Sequence, residues 1–112
     1  MQGCCPLVAP NLESSKSILP DELRKLLKEP GKVTLVDVRE LDEWNEGHIE
    51  GAIHIPMHLL PIKAPELIPD KNTCIVLYCY SGGRSGMSIE TMEKMGYKQA
   101  KSLKGGISVY EE

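Results

Sequence analysis

The stretch CIVLYCYSGGRS, residues 74–85, decides how this chain folds. Its first five residues are apolar, as expected of a strand that is buried on both faces of a sheet. The Gly-Gly pair at residues 82–83 allows a sharp turn, and the pattern over residues 85–95 is typical of a helix that Ser85 caps. The stretch therefore predicts a strand, a turn and a helix, with Cys79 at the carboxyl end of the strand.

Strands and helices alternate along the rest of the chain. Further strands are predicted at 33–38, 52–55 and 100–103, and further helices at 20–29 and 41–46. Four prolines between Pro56 and Pro69 predict connecting structure with at most a turn or two of helix. This alternation indicates an α/β fold with a parallel sheet covered on both faces, in which ligands bind at the carboxyl ends of the strands.

One domain with a short leading tail accounts for the 112 residues. Residues 1–17 are predicted to be a flexible tail and residues 18–112 a single domain. The formal charge of −3 argues against nucleic acid or an anionic membrane as the main partner. No secretory signal and no secreted disulfide framework is recognisable, so a cytoplasmic location is expected. Cys4 and Cys5 lack further ligands at metal-binding spacing, so no metal site is predicted.

Cys79 is predicted to be a nucleophile. A sulfur at this position faces a turn of backbone N–H groups, the start of a helix and Arg84, and each of these stabilises a thiolate. Tyr80 and Ser81 are expected to contribute N–H groups, and the guanidinium of Arg84 is expected to bind an anion. Cys74, at the start of the same strand, is expected to be an inert core residue.

A thiolate without an obvious base suits an atom that is already electrophilic and carries a good leaving group. The outer sulfur of thiosulfate and the phosphorus of a phosphoester both qualify. Cysteine-dependent phosphatases surround phosphate with Cys-x5-Arg, whereas Cys79 and Arg84 are separated by only four residues. The shorter loop favours sulfur transfer. The alternatives are a small cysteine phosphatase or arsenate reductase, and a non-catalytic binding module.

Several short motifs stand in a specific order and spacing. They are Asp37-Val38-Arg39-Glu40, Glu43-Trp44, GHIEGAIHIP at residues 47–56, the loop Cys79–Ser85, and Gly105-Gly106-Ile107. Together they cover about residues 18–110 and resemble a single-domain rhodanese, a member of the thiosulfate sulfurtransferase-like family. The resemblance implies a small central parallel sheet of about five strands with helices on both faces.

The resemblance also implies an activity. Cys79 would accept a sulfane sulfur from a small anionic donor such as thiosulfate, hold it as a persulfide, and pass it to cyanide, a thiol or a protein thiol. No cofactor is implied. Asp37 and Arg39 would support the loop, with Glu43 as a partner for Arg39. The implied substrate-binding residues are Tyr80, Ser81, Gly82, Gly83, Arg84 and Ser85.

A few residues depart from the family pattern or invite another interpretation. The family often has a tryptophan shortly after the second glycine pair, and Tyr110 is expected to take its packing role. His48 is expected to hold a turn rather than to act as a base. Pro56 separates His54 from His58, which argues against a two-histidine metal face on one helix. Helix core positions are expected for Met87, Met92 and Met95.

Overall fold

A five-stranded parallel sheet forms the middle of the molecule. The computed structural model describes residues 16–29, 31 and 33–110. The strands are β1 (Ser17–Ile18), β2 (Thr34–Asp37), β3 (Ile53–His54), β4 (Ile75–Tyr78) and β5 (Ala100–Leu103). Their order is β1-β5-β4-β2-β3, and every neighbouring pair is parallel. The predicted α/β class and its parallel sheet are therefore confirmed.

Helices cover both faces of the sheet. They are α1 (Pro20–Leu27), α2 (Leu41–Glu46), α3 (Leu60–Leu67), α4 (Gly83–Lys94) and α5 (Ile107–Tyr110). Leu60 of α3 and Ile89 of α4 belong to one buried cluster, and Leu23 of α1 and Ile107 of α5 to another. Alternate β4 side chains enter these two clusters because successive strand residues point to opposite faces. No helix in the described part of the chain is long and apolar enough to cross a membrane.

The register of β2 and β4 aligns the two strand ends that lead into the predicted site. Asp37, the last residue of β2, is paired with Tyr78, the last residue of β4. Beyond them the Val38 N–H donates to the Tyr78 carbonyl at 3.0 Å. Arg39 and Cys79, which follow these strands, consequently lie at the same edge of the sheet, where parallel α/β folds bind ligands.

The predicted boundary between tail and domain falls inside β1. Ser17, which the sequence assigns to the tail, is paired with Ser102 of β5. Lys16 of the predicted tail is also described, and residues 1–15, with Cys4 and Cys5, lie outside the described residues.

The proline-rich segment is more helical than predicted. A 3-10 turn at Met57–Leu59 leads into α3, whose eight residues make about two further turns. Pro61 lies in the first turn of α3, where a helix needs no N–H donor. Pro65 lies inside the helix, but Ala64 beside it is fully buried, so packing holds this short segment helical despite its prolines.

Candidate active site

Cys79 follows β4 directly, and its side chain is buried. It is a free cysteine, and Cys74 at the start of the strand is buried, as predicted. Between Cys79 and α4 the backbone reverses at Gly82, whose φ of +113° lies in the left-handed region that favours glycine. This reversal lets α4 begin at Gly83 and directs its first N–H groups back toward the cysteine.

The sulfur of Cys79 accepts hydrogen bonds from the loop that follows it. The Gly82 N–H donates to Sγ at 3.0 Å and the Ser85 N–H donates at 3.4 Å. The Ser85 Oγ lies 3.7 Å from the same sulfur. These donors are the cap residue and the first turn of α4, so the sulfur occupies the place of a helix-capping acceptor.

The donors around the sulfur act on the pKa of Cys79 against the effect of burial. Burial by itself raises the pKa of this thiol, because a thiolate loses its hydration inside a protein. The N–H groups of Ser85, Gly82 and Ser81 and the Ser85 hydroxyl act in the opposite direction, and the pKa is lowered overall. The site therefore favours the nucleophilic thiolate.

Ser85 is not the helix cap that the sequence predicts. The two glycines allow α4 to begin earlier, so that Gly82 is the cap and Ser85 lies inside the first turn. Its buried Oγ lies 2.7 Å from the Ser102 Oγ and donates to the Gly82 carbonyl at 3.3 Å. Ser85 thus links the loop to β5 and still places its hydroxyl against the sulfur.

The start of α5 fixes the first half of the loop. The Ile107 N–H donates to the Cys79 carbonyl at 2.9 Å, and the Ser108 N–H donates to the Tyr80 carbonyl at 3.0 Å. Gly106 lies so close that an added Cβ would stand 2.4 Å from the Tyr80 oxygen. Only glycine allows this approach. Tyr110 of the same helix packs against the core, in keeping with the packing role predicted for it.

Asp37 and Arg39 form a buried ion pair next to the loop. The Arg39 Nη2 lies 2.8 Å from the Asp37 Oδ2, and the two side chains are 7% and 0% exposed. The Arg39 Nη2 also donates to the Gly47 carbonyl at 2.7 Å. Hydrogen bonding to Asp37 raises the pKa of Arg39. The pair joins the end of β2 to the residue that ends α2.

Glu43 pairs with Arg84, not with Arg39 as the sequence analysis expects. The Arg84 Nη1 and Nη2 donate to the two Glu43 carboxylate oxygens at 2.8 and 3.0 Å. Arg39 is already held by Asp37, while Arg84 in the first turn of α4 reaches across to α2. These hydrogen bonds are the main reason why the pKa of Glu43 is lowered to about 2.

The remaining predicted loop residues lie at the surface. The Tyr80 side chain is 57% exposed, so its backbone rather than its ring is fixed. Ser81 and Gly83 are exposed as well. Met87, predicted to be a core residue, is also exposed, because it lies on the outer side of α4, while Met92 is fully buried as predicted.

Two of the three histidines pack against Trp44 of α2. The His48 ring stacks on the indole with centroids 3.4 Å apart, and its Nδ1 lies 3.0 Å from the Trp44 carbonyl. His48 therefore holds this turn, as predicted. His54 stacks on the same indole at 4.9 Å and contacts the Arg39 carbonyl through Nε2. No metal-binding group of three or more histidine, cysteine or acidic residues is found among residues 16–29, 31 and 33–110.

A cleft of about 510 Å³ borders the loop on the side of α4 and β5. Ser81 and Gly82 reach it from the loop, and Lys16 and Glu93 form an ion pair beside it. Cys79 is not part of its lining. The cleft is therefore next to the candidate site and does not open onto the sulfur.

Three features of the site are not identified by the sequence analysis. Ser102, which supports Ser85, is a polar residue in a strand and gives no local signal. Gly106 belongs to a glycine pair, which signals a turn but not its close approach to the loop. The partnership of Glu43 with Arg84 joins residues 41 positions apart, so no local pattern reveals it.

Comparisons with known proteins agree with this architecture. The family profile of the rhodanese-like domain matches residues 19–112. A sulfurtransferase of Allochromatium vinosum is 37% identical over 87 residues, which are 78% of this chain and 79% of that protein. The thiosulfate sulfurtransferase PspE of Escherichia coli is 33% identical over 70 residues, 62% of this chain and 67% of that protein. Two further curated relatives are longer, and this chain spans 51% and 23% of their lengths.

A solved structure gives the same result for the fold. The crystal structure of a rhodanese-like domain protein from Staphylococcus aureus superposes with a TM-score of 0.73 at 34% identity. The match covers 85% of this chain and 90% of that one.

Proposed function

Because this chain belongs to the rhodanese-like domain family, we propose that it is a sulfurtransferase that carries a sulfane sulfur as a persulfide on Cys79. The observation that supports this most directly is the surroundings of the Cys79 sulfur. It is a free thiol that accepts hydrogen bonds from the Gly82 and Ser85 N–H groups, and its pKa is lowered. A thiol in this state is a nucleophile that needs no separate base.

The proposed reaction has two displacement steps. In the first, the Cys79 thiolate attacks the outer sulfur of the donor, the sulfur–sulfur bond of the donor breaks, and its electron pair leaves with sulfite when the donor is thiosulfate. In the second, an acceptor such as cyanide, a thiol or a protein thiol attacks the terminal sulfur of the persulfide. The bond to Cys79 breaks and the thiolate is restored, with no net oxidation or reduction.

The loop supplies the charge stabilisation that both steps need. The N–H groups that now point at the sulfur would stabilise the terminal persulfide anion, as an oxyanion hole stabilises developing charge. Hydrogen bonding to Glu43 contributes most to raising the pKa of Arg84, and the charge of Cys79 raises it as well. We assign Arg84 to donor binding and the Asp37–Arg39 pair to support of the loop. We place the reaction in the cytoplasm, as the sequence predicts.

Intact-protein mass spectrometry tests this function. The protein is incubated separately with thiosulfate and with cysteine persulfide, and the expected result is a gain of one sulfur atom that cyanide removes as thiocyanate. Cys79→Ser, which keeps the other three cysteines, is the matched control and should gain no labile sulfur. Absence of the adduct with both donors, or an equal adduct on Cys79→Ser, would refute the proposal. Turnover of p-nitrophenyl phosphate that depends on Cys79 would instead support the phosphatase alternative.

A further inference from the structure

The Arg84 guanidinium, which is the cation that the loop would offer to a donor, is already bound by the Glu43 carboxylate. Both carboxylate oxygens are used, because one accepts from Nη1 at 2.8 Å and the other accepts from Nη2 at 3.0 Å. Such a two-point contact is the same one that an arginine makes with the oxygens of a sulfonate or phosphate. A donor that uses Arg84 in this way must therefore displace Glu43.

Glu43 is held in place from its own helix as well. Its Oε1 also accepts a hydrogen bond from the Glu40 N–H at 3.0 Å, in a capping box at the start of α2. Hydrogen bonding to Arg84 contributes most to lowering the pKa of Glu43 to about 2. The carboxylate consequently stays charged at physiological pH, and protonation does not release Arg84.

Neighbouring cations do not replace Arg84. Arg39 is held by Asp37 and the Gly47 carbonyl, and its side chain is 7% exposed. Lys104 lines the cleft beside α4 and β5, and Cys79 is not part of that lining. Among the described residues, the two arginines at this edge of the sheet thus each carry a carboxylate partner.

We propose that Glu43 is a positioning residue that sets the class of sulfur donor, an inference that rests on the proposed function. By neutralising Arg84 it disfavours a dianion such as thiosulfate, whose oxygens compete with the carboxylate for the guanidinium. A donor without sulfonate oxygens makes no two-point contact with the guanidinium and avoids this competition. The site therefore favours alkyl persulfides, R–S–SH, over thiosulfate.

The chemistry of such a donor balances without a further reactant. The Cys79 thiolate attacks the terminal sulfur of R–S–SH, the sulfur–sulfur bond breaks, and the electron pair leaves with R–S⁻. The hydrogen remains on the new persulfide, Cys79–S–SH, and is lost to solvent. The loop N–H groups then stabilise the persulfide anion. The leaving thiolate needs no arginine, since it takes up a proton from water near neutral pH.

Donor preference in matched variants tests the proposal. We expect the wild type to have a higher kcat/KM for cysteine persulfide than for thiosulfate. Glu43→Gln removes the negative charge but keeps a side chain that can complete the capping box, and it should raise kcat/KM for thiosulfate by about tenfold, mainly through a lower KM. The same variant should change kcat/KM for cysteine persulfide by less than about threefold. Asp42→Asn, an equal charge change on α2, should alter neither value.

Thermal unfolding checks that Glu43→Gln is folded. If it is not, a second variant tests the same proposal. Arg84→Gln should lose most of the use of thiosulfate and retain most of the use of cysteine persulfide. The proposal is overturned if the wild type prefers thiosulfate, or if either variant changes both donors equally, since Glu43 would then only support the loop. A wild type that gains no sulfur from either donor would instead refute the proposed function itself.

Discussion

The two carboxylate–arginine pairs beside the loop have the same chemistry and different surroundings. In the pair of Asp37 and Arg39 the side chains are 0% and 7% exposed, and in the pair of Glu43 and Arg84 they are 30% and 34% exposed. The shortest distance between the charged groups is 2.8 Å in both pairs. Burial, rather than geometry, distinguishes them.

Burial decides what each pair can do. Opening a buried pair leaves charges without water, which costs several kcal/mol, so the pair of Asp37 and Arg39 behaves as part of the framework. A partly exposed pair exchanges its partners for water at little cost. The pair of Glu43 and Arg84 is therefore able to open for a ligand while the first pair holds the strand ends in place.

The largest effect is expected from breaking the buried pair. Arg39→Met leaves the Asp37 carboxylate buried without its cation, and the free energy of unfolding should fall by about 3–5 kcal/mol. Urea denaturation at neutral pH measures this. The double variant Asp37→Asn/Arg39→Met removes the stranded charge and should recover a large part of the loss. A loss below about 1 kcal/mol in the single variant would show that the two pairs are energetically alike.

A smaller effect is expected where the backbone of Gly106 packs against the loop, a contact that involves no charged side chain. In Gly106→Ala the new Cβ would meet the Tyr80 carbonyl at 2.4 Å, and alanine would have to adopt a φ of +66°. The free energy of unfolding should fall by about 2–3 kcal/mol, and sulfur transfer should decrease because the Cys79 carbonyl loses its position.

Gly86→Ala is the matched control for this substitution. A Cβ at Gly86 meets no atom within 4 Å, and the residue lies inside α4, so alanine should stabilise the protein by up to about 1 kcal/mol. An equal loss in the two variants would contradict the role given to Gly106.

The partly exposed pair of Glu43 and Arg84 should contribute little to stability, and its contribution should depend on pH. Glu43→Gln is expected to lower the free energy of unfolding by about 0.5–1 kcal/mol at neutral pH. Because the pKa of Glu43 is lowered in the folded protein, this stabilisation is present above its ordinary value of 4.5 and is lost as the pH falls toward about 2. Urea denaturation of both proteins over this range measures it. A difference that stays constant with pH would contradict the ion pair.

The smallest effect is expected at the Cys79 thiolate. Because Arg84 is paired with Glu43, the groups that stabilise the thiolate are the uncharged hydrogen-bond donors of the loop. Ser85→Ala removes the hydroxyl that lies 3.7 Å from the sulfur and should raise the pKa of Cys79. Alkylation by iodoacetamide rises with pH as the thiolate forms, so its profile should move to higher pH. Ser88→Ala, whose hydroxyl donates to the Arg84 carbonyl, should leave the profile unchanged. An equal shift of the pH profile in both variants would show that the Ser85 hydroxyl does not stabilise the thiolate.

The parts of the fold that were predictable depend on local signals. The apolar run before Cys79 and the glycine pair after it specify β4, the reversal and α4, because each signal acts over a few residues. For the same reason the sequence places the start of α4 at Ser85, whereas the helix begins at Gly83. Serine is a common cap, but the Cys79 sulfur accepts the Ser85 N–H and takes the place of a serine side chain.

The sequence by itself determined the parallel sheet and the position of Cys79 at the carboxyl end of the strand that precedes it. These follow from the order of apolar runs, glycines and helices along the chain. Only the tertiary structure decided which carboxylate holds which arginine. That choice depends on the register of β2 and β4 and on the approach of α2 to the start of α4, which join Glu43 to Arg84 across 41 positions. Because charge pairing acts through space, the order of residues alone does not specify it.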